Sequence, residues 1–268
     1  MEIIERSEQW GERYRSWNAK QSNGLEQLKG YPFVENSRAP FTPSRRAITM
    51  TNLAVIVSAG AYIDGTGPFD TNAPGGDFDL REIPTDIELR DLRFAARGYD
   101  SSFVQQDANV QVPLERLREF ESNRVIGQIA PVFWSFCGFI PDARRFAEET
   151  IPQLLERLAR YDVQAALLVP ASLLCHQSVS LAARAIEQTR LPTMTLGVDR
   201  EILENARPPR AGYYDGKPGS VAGEPNWPQH QRRVLDEALR WIEPMGQPGI
   251  RKLAVELETK VEIARGER

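Results

Sequence analysis

The sequence predicts an α/β fold, a parallel sheet with helices on both faces, divided into two Rossmann-like lobes around a cleft at the strand ends. Two patterns predict it. Near-continuous apolar runs lie within 48–62, 131–140 and 163–170, as strands buried on both faces require. Segments with helical periodicity alternate with those runs, the signature of strand–helix–strand units. Composition agrees: 41% hydrophobic and 26% charged residues over 268 positions is globular and excludes wholesale disorder.

The elements follow in chain order. Residues 2–20 read as a polar helix whose Trp10, Tyr14 and Trp17 fall at i, i+4 and i+7 on one face. That face must pack on the body of the protein or on a partner. Residues 30–46 carry three prolines and read as an extended connector. Residues 1–46 are thus a helical arm and connector, and 47–268 an α/β domain with lobes at 47–140 and 141–245. The first strand lies within Ile48 to Tyr62 and breaks at Ser58-Ala59-Gly60. Residues 63–86, rich in Gly, Pro, Asp and Thr, read as one long loop, and a strand follows over Glu88 to Phe94. A short helix covers 112–121, and an amphipathic helix covers 141–160 with Asp142 as its N-cap. The remaining elements are a strand at 163–170, a helix at 176–190, a strand from Thr193 to Val198 and a helix at 229–243.

Several function classes are excluded. No apolar run approaches the ~18–20 residues of a membrane helix. The opening MEIIERSEQWGERYR has no apolar core of a secretory signal. A net charge of −4 argues against a nucleic-acid partner. Two cysteines and two histidines suit neither a disulfide framework nor a metal cluster. The expectation is a cytoplasmic protein with a small-molecule substrate and with no membrane, metal or cofactor. The arm's apolar face adds a homo-oligomer.

Ligands of open parallel sheets bind beyond the carboxyl ends of the strands. Three segments should converge there: Ser58 to Gly60, Ser135 to Gly138, and Ala171 to Gln177. Cys175 follows the strand at 163–170 and opens a helix, where the positive end of the helix dipole favours a thiolate. Ser172 stands three residues before it, the spacing of a C-x-x-C pair with oxygen for one sulfur. The competing reading makes Cys175 a small buried hydrophobe. His176 either donates to a substrate or bonds to backbone, and Cys137 is either a second functional thiol or an inert one. Ser58, Gly60 and Gln177, with Tyr99, are the candidate substrate-binding residues. The aspartates of 63–86 lack the order of a calcium loop. Arg207 to Arg210 (RPPR) reads as an anion site or a stiffened surface turn, and His230 as a surface residue.

Six segments in order carry a family resemblance. They are VSAGAYIDGTGPFD (57–70), DFDLREIPTDIELRDLR (77–93), YDSSFVQQDANVQVPLERLREF (99–120), VIGQIAPVFWSFCGFIPDAR (125–144), VQAALLVPASLLCHQSVSLAARAIEQTRLPT (163–193) and RPPRAGYYDGKPGSVAGEPNWPQHQRRVL (207–235). Together they resemble the B-subunit family of the glycine, sarcosine, betaine and D-proline reductases, most strongly its D-proline reductase-like branch. The resemblance implies a selenocysteine-x-x-cysteine centre at the end of the strand at 163–170, with Ser172 at the selenocysteine position and Cys175 at the cysteine position. In such proteins the selenolate attacks an activated amino acid and cleaves a C–N bond. A second subunit bearing a pyruvoyl group activates the substrate, and a thiol donor restores the reduced state. This chain departs from that pattern, since a serine hydroxyl forms no selenide or sulfide bond. Phe94 to Tyr99 also lacks the histidines the family carries nearby. Three readings follow: a reductase-like enzyme using Cys175, with Cys137 as resolving thiol and a second subunit or thiol donor as partner; a non-redox thiol enzyme of racemase or lyase type; and a non-catalytic partner subunit.

Overall fold

The computed structural model describes residues 2–20 and 28–266. The join between arm and connector, 21–27, lies outside them. One twisted sheet organises the molecule. Its strands are β1 (Asn52–Val57), β3 (Arg81–Pro84), β5 (Gln128–Ile129), β6 (Val132–Ser135), β7 (Ala165–Val169), β8 (Thr193–Gly197), β9 (Arg210–Tyr213) and β10 (Gly249–Lys252). The spatial order is β10-β9-β8-β7-β1-β6-β3, with β5 also on β1. Every pairing is parallel except β3 on β6. A separate antiparallel ribbon pairs β2 (Ala61–Ile63) with β4 (Leu92–Phe94). Segments on either side of residue 140 therefore supply neighbouring strands of one sheet.

Alternating side chains of the central strands bury on opposite faces, which is why their sequences are apolar throughout. Leu53, Val55 and Val57 of β1 share a core with Leu117 of α3 (Leu114–Ser122) and with Val234 and Leu235 of α8 (Pro228–Leu239). Ala54 and Ile56 share the opposite core with Leu154 and Leu158 of α5 (Ile151–Ala159) and Ala182 of α6 (Leu173–Gln188). The remaining helices are α1 (Ser7–Asn18), α2 (Ser101–Gln106), α4 (Ala143–Arg145), α7 (Arg200–Ala206) and α9 (Glu256–Ala264). Asp142 caps α4, its carboxylate accepting from the Arg145 N–H. A wide-turn segment, Phe146–Thr150, joins α4 to α5. Pro152, in the first turn of α5, has no N–H for the Glu148 carbonyl, which accounts for the wider winding there.

Several expectations are corrected. The long loop at 63–86 contains β3, an edge strand too short and charged to read from its pattern. The strand expected from Glu88 starts at Leu92, because Leu89–Asp91 forms a tight 3₁₀ turn. The helix expected at 176 starts at Leu173, capped by Ser172. His230 is buried rather than on the surface: it stacks on Trp227 at 5.1 Å, and its Nδ1 accepts from the Glu224 N–H at 3.1 Å. Arg210 of the RPPR turn is fully buried and paired with Glu187 at 2.5 Å. It therefore presents no surface anion site. Trp10, Tyr14 and Trp17 are buried in the α5–α6 core. That removes the argument from exposed arm surface for a homo-oligomer. Among the described residues no helix is long and apolar enough to cross a membrane.

Candidate active site

From β1 the chain steps outward to β6 on one side. From β7 it steps outward through β8 and β9 to β10 on the other. The order reverses between β1 and β7, so the crevice beyond their carboxyl ends is the topological switch point. The three predicted segments meet there. Ser58 follows β1; its N–H donates to the Val169 carbonyl at 3.1 Å, and its Oγ accepts from the Ala171 N–H at 2.9 Å. The Gly138 N–H, beyond β6, donates to the Ser58 carbonyl at 2.9 Å. The Gly60 N–H donates to the Phe136 carbonyl at 3.0 Å. Gly60 has φ +67, and a Cβ there would lie 2.6 Å from the Ala95 carbonyl oxygen, so only glycine fits this turn.

Ser172 and Cys175 meet at the start of α6. Ser172 has extended backbone, and its Oγ accepts from the Cys175 N–H at 3.2 Å, an N-cap bond. Its hydroxyl also donates to Cys175 Sγ at 2.9 Å. The thiol in turn points to the Ser58 carbonyl at 3.9 Å. Gly138 closes the site from above: a Cβ there would lie 2.4 Å from Cys175 Sγ. Cys175 is fully buried, and burial pushes its thiol up despite hydrogen bonds from Ser172. The helix dipole was expected to lower it. That dipole is worth roughly 0.3–1 kcal/mol at an exposed helix end, whereas full burial shifts a group by several pKa units. In the closed molecule burial wins.

Cys137 sits in the same neighbourhood, and both thiols are free. It bridges Ala59 through backbone and donates its S–H to the Ala95 carbonyl at 3.4 Å. Burial first, then the charge of Cys175, pushes it up to about 12, while Arg97 acts in the opposite direction. Tyr99 pins the β1 end, its hydroxyl donating to the Ala59 carbonyl at 2.7 Å. His176 turns the other way. Its Nε2 accepts from the Val198 N–H at 2.9 Å, which assigns the proton to Nδ1, 2.8 Å from the Ser172 carbonyl. Both ring nitrogens are thus held by backbone. Gln177 serves the connector: its Oε1 accepts from the Val34 N–H at 2.6 Å, and its Nε2 donates to the Tyr31 hydroxyl at 3.0 Å. Sequence reasoning passed over Arg97 and the cover residue Phe139; the glycine beside each was the signal available.

The fold and site together define a doubly wound α/β protein with a buried thiol and a capping hydroxyl at its switch point. The chain belongs to the glycine/sarcosine/betaine reductase selenoprotein B family, whose profile matches residues 23–171 and ends one residue before Ser172. It is 29% identical over 202 residues to the D-proline reductase subunit gamma of Acetoanaerobium sticklandii, covering 75% of this chain and 82% of that one. It is 23% identical over 225 residues to the glycine reductase complex component B subunit gamma of Symbiobacterium thermophilum, covering 78% of this chain and 49% of that one. It is 26% identical over 180 residues to the sarcosine reductase complex component B subunit beta of Peptoclostridium acidaminophilum, covering 65% and 40%. The chain therefore spans about half the length of the glycine and sarcosine relatives. No solved structure matches it.

Proposed function

We propose that this chain is a subunit of a reductase complex acting on a small amino acid or a related amine or carboxylate, with Cys175 as nucleophile. The contact of Ser172 Oγ with Cys175 Sγ at 2.9 Å, placed at the switch point, carries this reading. The cover at Gly138 opens, the thiol gains solvent, and its proton leaves. The Ser172 hydroxyl and the first-turn N–H groups then stabilise the thiolate. The thiolate attacks the carbon bearing nitrogen. The C–N bond breaks, a C–S bond forms, and the nitrogen leaves as an amine with a proton. One thiol of an external dithiol donor attacks Cys175 Sγ, releasing carbon with a proton and forming a mixed disulfide. The donor's second thiol closes its own disulfide and returns Cys175 to the thiolate. The two electrons come from that donor. Cys137 is a second thiol in the same neighbourhood and takes no part in this exchange. Ser58, Gly60 and Tyr99 shape the floor of the crevice, and His176 and Gln177 position α6. A partner subunit supplies substrate activation; that there is a partner accords with the relatives being named as subunits.

The test is iodoacetamide alkylation followed by peptide mass spectrometry, alongside turnover of the complete complex with Cys175→Ala. Rapid native alkylation of Cys175 and loss of turnover in the variant support the reading. Full turnover by Cys175→Ala defeats it. The burial of both thiols favours a second reading, a non-catalytic partner subunit. In that case both cysteines are dispensable while the complex still requires this chain.

A further inference from the structure

The cover over Cys175 carries a cation that pairs with no carboxylate among the described residues. Gly138 lies on the thiol. Its neighbour Phe139 is buried against Gly98, where a Cβ would stand 2.1 Å from the ring Cδ2. The Arg97 guanidinium carbon sits 5.3 Å from the centroid of that Phe139 ring. Arg97 Nη1 donates to the Ala73 carbonyl at 2.8 Å, and among the described residues Arg97 forms no ion pair with a carboxylate. The fully buried arginines behave otherwise: Arg210 pairs with Glu187 at 2.5 Å and Arg184 with Glu5 at 3.7 Å. Arg97 is half-buried, and desolvation depresses its pKa, while Cys137 first, then Asp70 and Tyr14, act in the opposite direction without any carboxylate pairing with it. It has lost part of its hydration without gaining a counter-ion.

The segment carrying Arg97 is tied to the thiols on both sides. The Cys137 S–H donates to the Ala95 carbonyl at 3.4 Å, and the Ala95 N–H donates to the Gly60 carbonyl at 2.9 Å. Two residues beyond Arg97, Tyr99 bonds Ala59. Building on the reading of Cys175 as the nucleophile toward a small amino acid, we propose that Arg97 determines specificity by binding the substrate's carboxylate. The guanidinium lies against Phe139 with Nη1 on the Ala73 carbonyl, and its Nε and Nη2 remain for the bidentate fork that carboxylates accept. Partial desolvation strengthens that pairing. Amides and simple amines of the same shape are rejected. Lys217 is another cation on this side of the sheet; the turn that follows it is bonded through the Gly219 N–H to the Ala171 carbonyl at 2.7 Å. Its side chain is exposed and its ammonium stays hydrated, so the assignment falls on Arg97.

The test uses the full chain and two alkylating reagents of like size, iodoacetate and iodoacetamide, read at Cys175 by mass spectrometry. The iodoacetate-to-iodoacetamide rate ratio should fall about tenfold in Arg97→Met, with Arg97→Lys between the two. An unchanged ratio overturns the proposal, as does a fall in Lys217→Met with none in Arg97→Met. A parallel titration follows the thermal midpoint with glycine and D-proline against glycinamide and D-prolinamide. A preference for the acids that Arg97→Met abolishes supports the proposal. No preference, or one that survives in Arg97→Met, overturns it. If Cys175 resists both reagents in the native protein, the nucleophile reading fails, and the titration still decides Arg97.

Discussion

Helix α6 does two different jobs along its length. Its first turn presents small groups to the crevice: the Ser172 hydroxyl, the Cys175 thiol and the backbone N–H between them. Farther along, Gln177, Arg184 and Glu187 present large polar groups to the N-terminal segment. Arg184 Nε donates to the Ile3 carbonyl at 2.9 Å and its Nη1 to the Arg38 and Arg207 carbonyls. Glu187 accepts from the Thr42 N–H, from Thr193 and from Arg210, whose guanidinium also covers the Phe41 ring at 4.1 Å. The clamp is built from full charges with many partners, and the site from one thiol with few. Buried charges are held by partners, and these have several, with Arg210 Nε alone of its guanidinium nitrogens left over. The thiol needs no counter-charge, so the first turn is held by packing and by the serine cap instead.

The largest test of this contrast is Glu187→Ala. It strands Arg210 without a counter-charge, and breaking a buried pair costs about 3–5 kcal/mol. The urea midpoint should fall accordingly, while native-state alkylation of Cys175 stays at the wild-type rate. Faster alkylation in the variant would show that clamp and site move as one unit.

Gly138→Ala tests the opposite end. The new Cβ would lie 2.4 Å from Cys175 Sγ and 2.4 Å from Ser58 Cβ. Overpacking of this kind typically costs about 1–3 kcal/mol. Adding Cys175→Ala should return part of that loss, the part due to sulfur. A strictly additive double variant would mean that the cover does not rest on the thiol.

The sequence carried the centre of the fold because buried parallel strands leave an unmistakable apolar run. The run at 163–170 named β7, and with it the crevice, Ser172 and Cys175. It could not show β3, β9 or β10. These are four-residue strands at or near the sheet edges, mixing Arg, Lys, Gly and Pro, and they are strands only because a neighbour offers a ladder. The clamp was equally hidden. Arg184 and Glu187 look like a solvated helix face, and Gln177 like a substrate contact, until the connector lies across them. The pKa direction of Cys175 failed for the same reason, since position in a helix is local but burial is not.

Ser172 gives a smaller and more specific effect. Ser172→Ala removes the N-cap and should cost about 1 kcal/mol, with slower Cys175 alkylation at matched pH because the thiolate loses a donor. Ser172→Cys places a second sulfur at the 2.9 Å contact. After mild oxidation that variant should retain only the Cys137 thiol by thiol titration. Three free thiols after oxidation would mean the pair is not aligned for exchange.

The smallest effect separates His176 from the chemistry. In the fold its ring is neutral, Nδ1–H to Ser172 and Nε2 to the Val198 N–H, and burial holds its pKa below the ordinary 6.5. The unfolded chain takes up a proton near pH 6.5 and the folded chain does not. Stability is therefore full above that pH and declines as pH falls below it. His176→Gln should remove this decline between about pH 7.5 and about pH 5.5, where histidine alone among unperturbed side chains titrates. Glu5 is held at about 2 and acts well below this window. The difference in urea midpoint between the two proteins across the window isolates the ring. If that difference is flat while turnover changes with the same pH, His176 titrates in the working enzyme and belongs with Cys175. If it slopes as argued, the ring is a buried strut between α6 and β8.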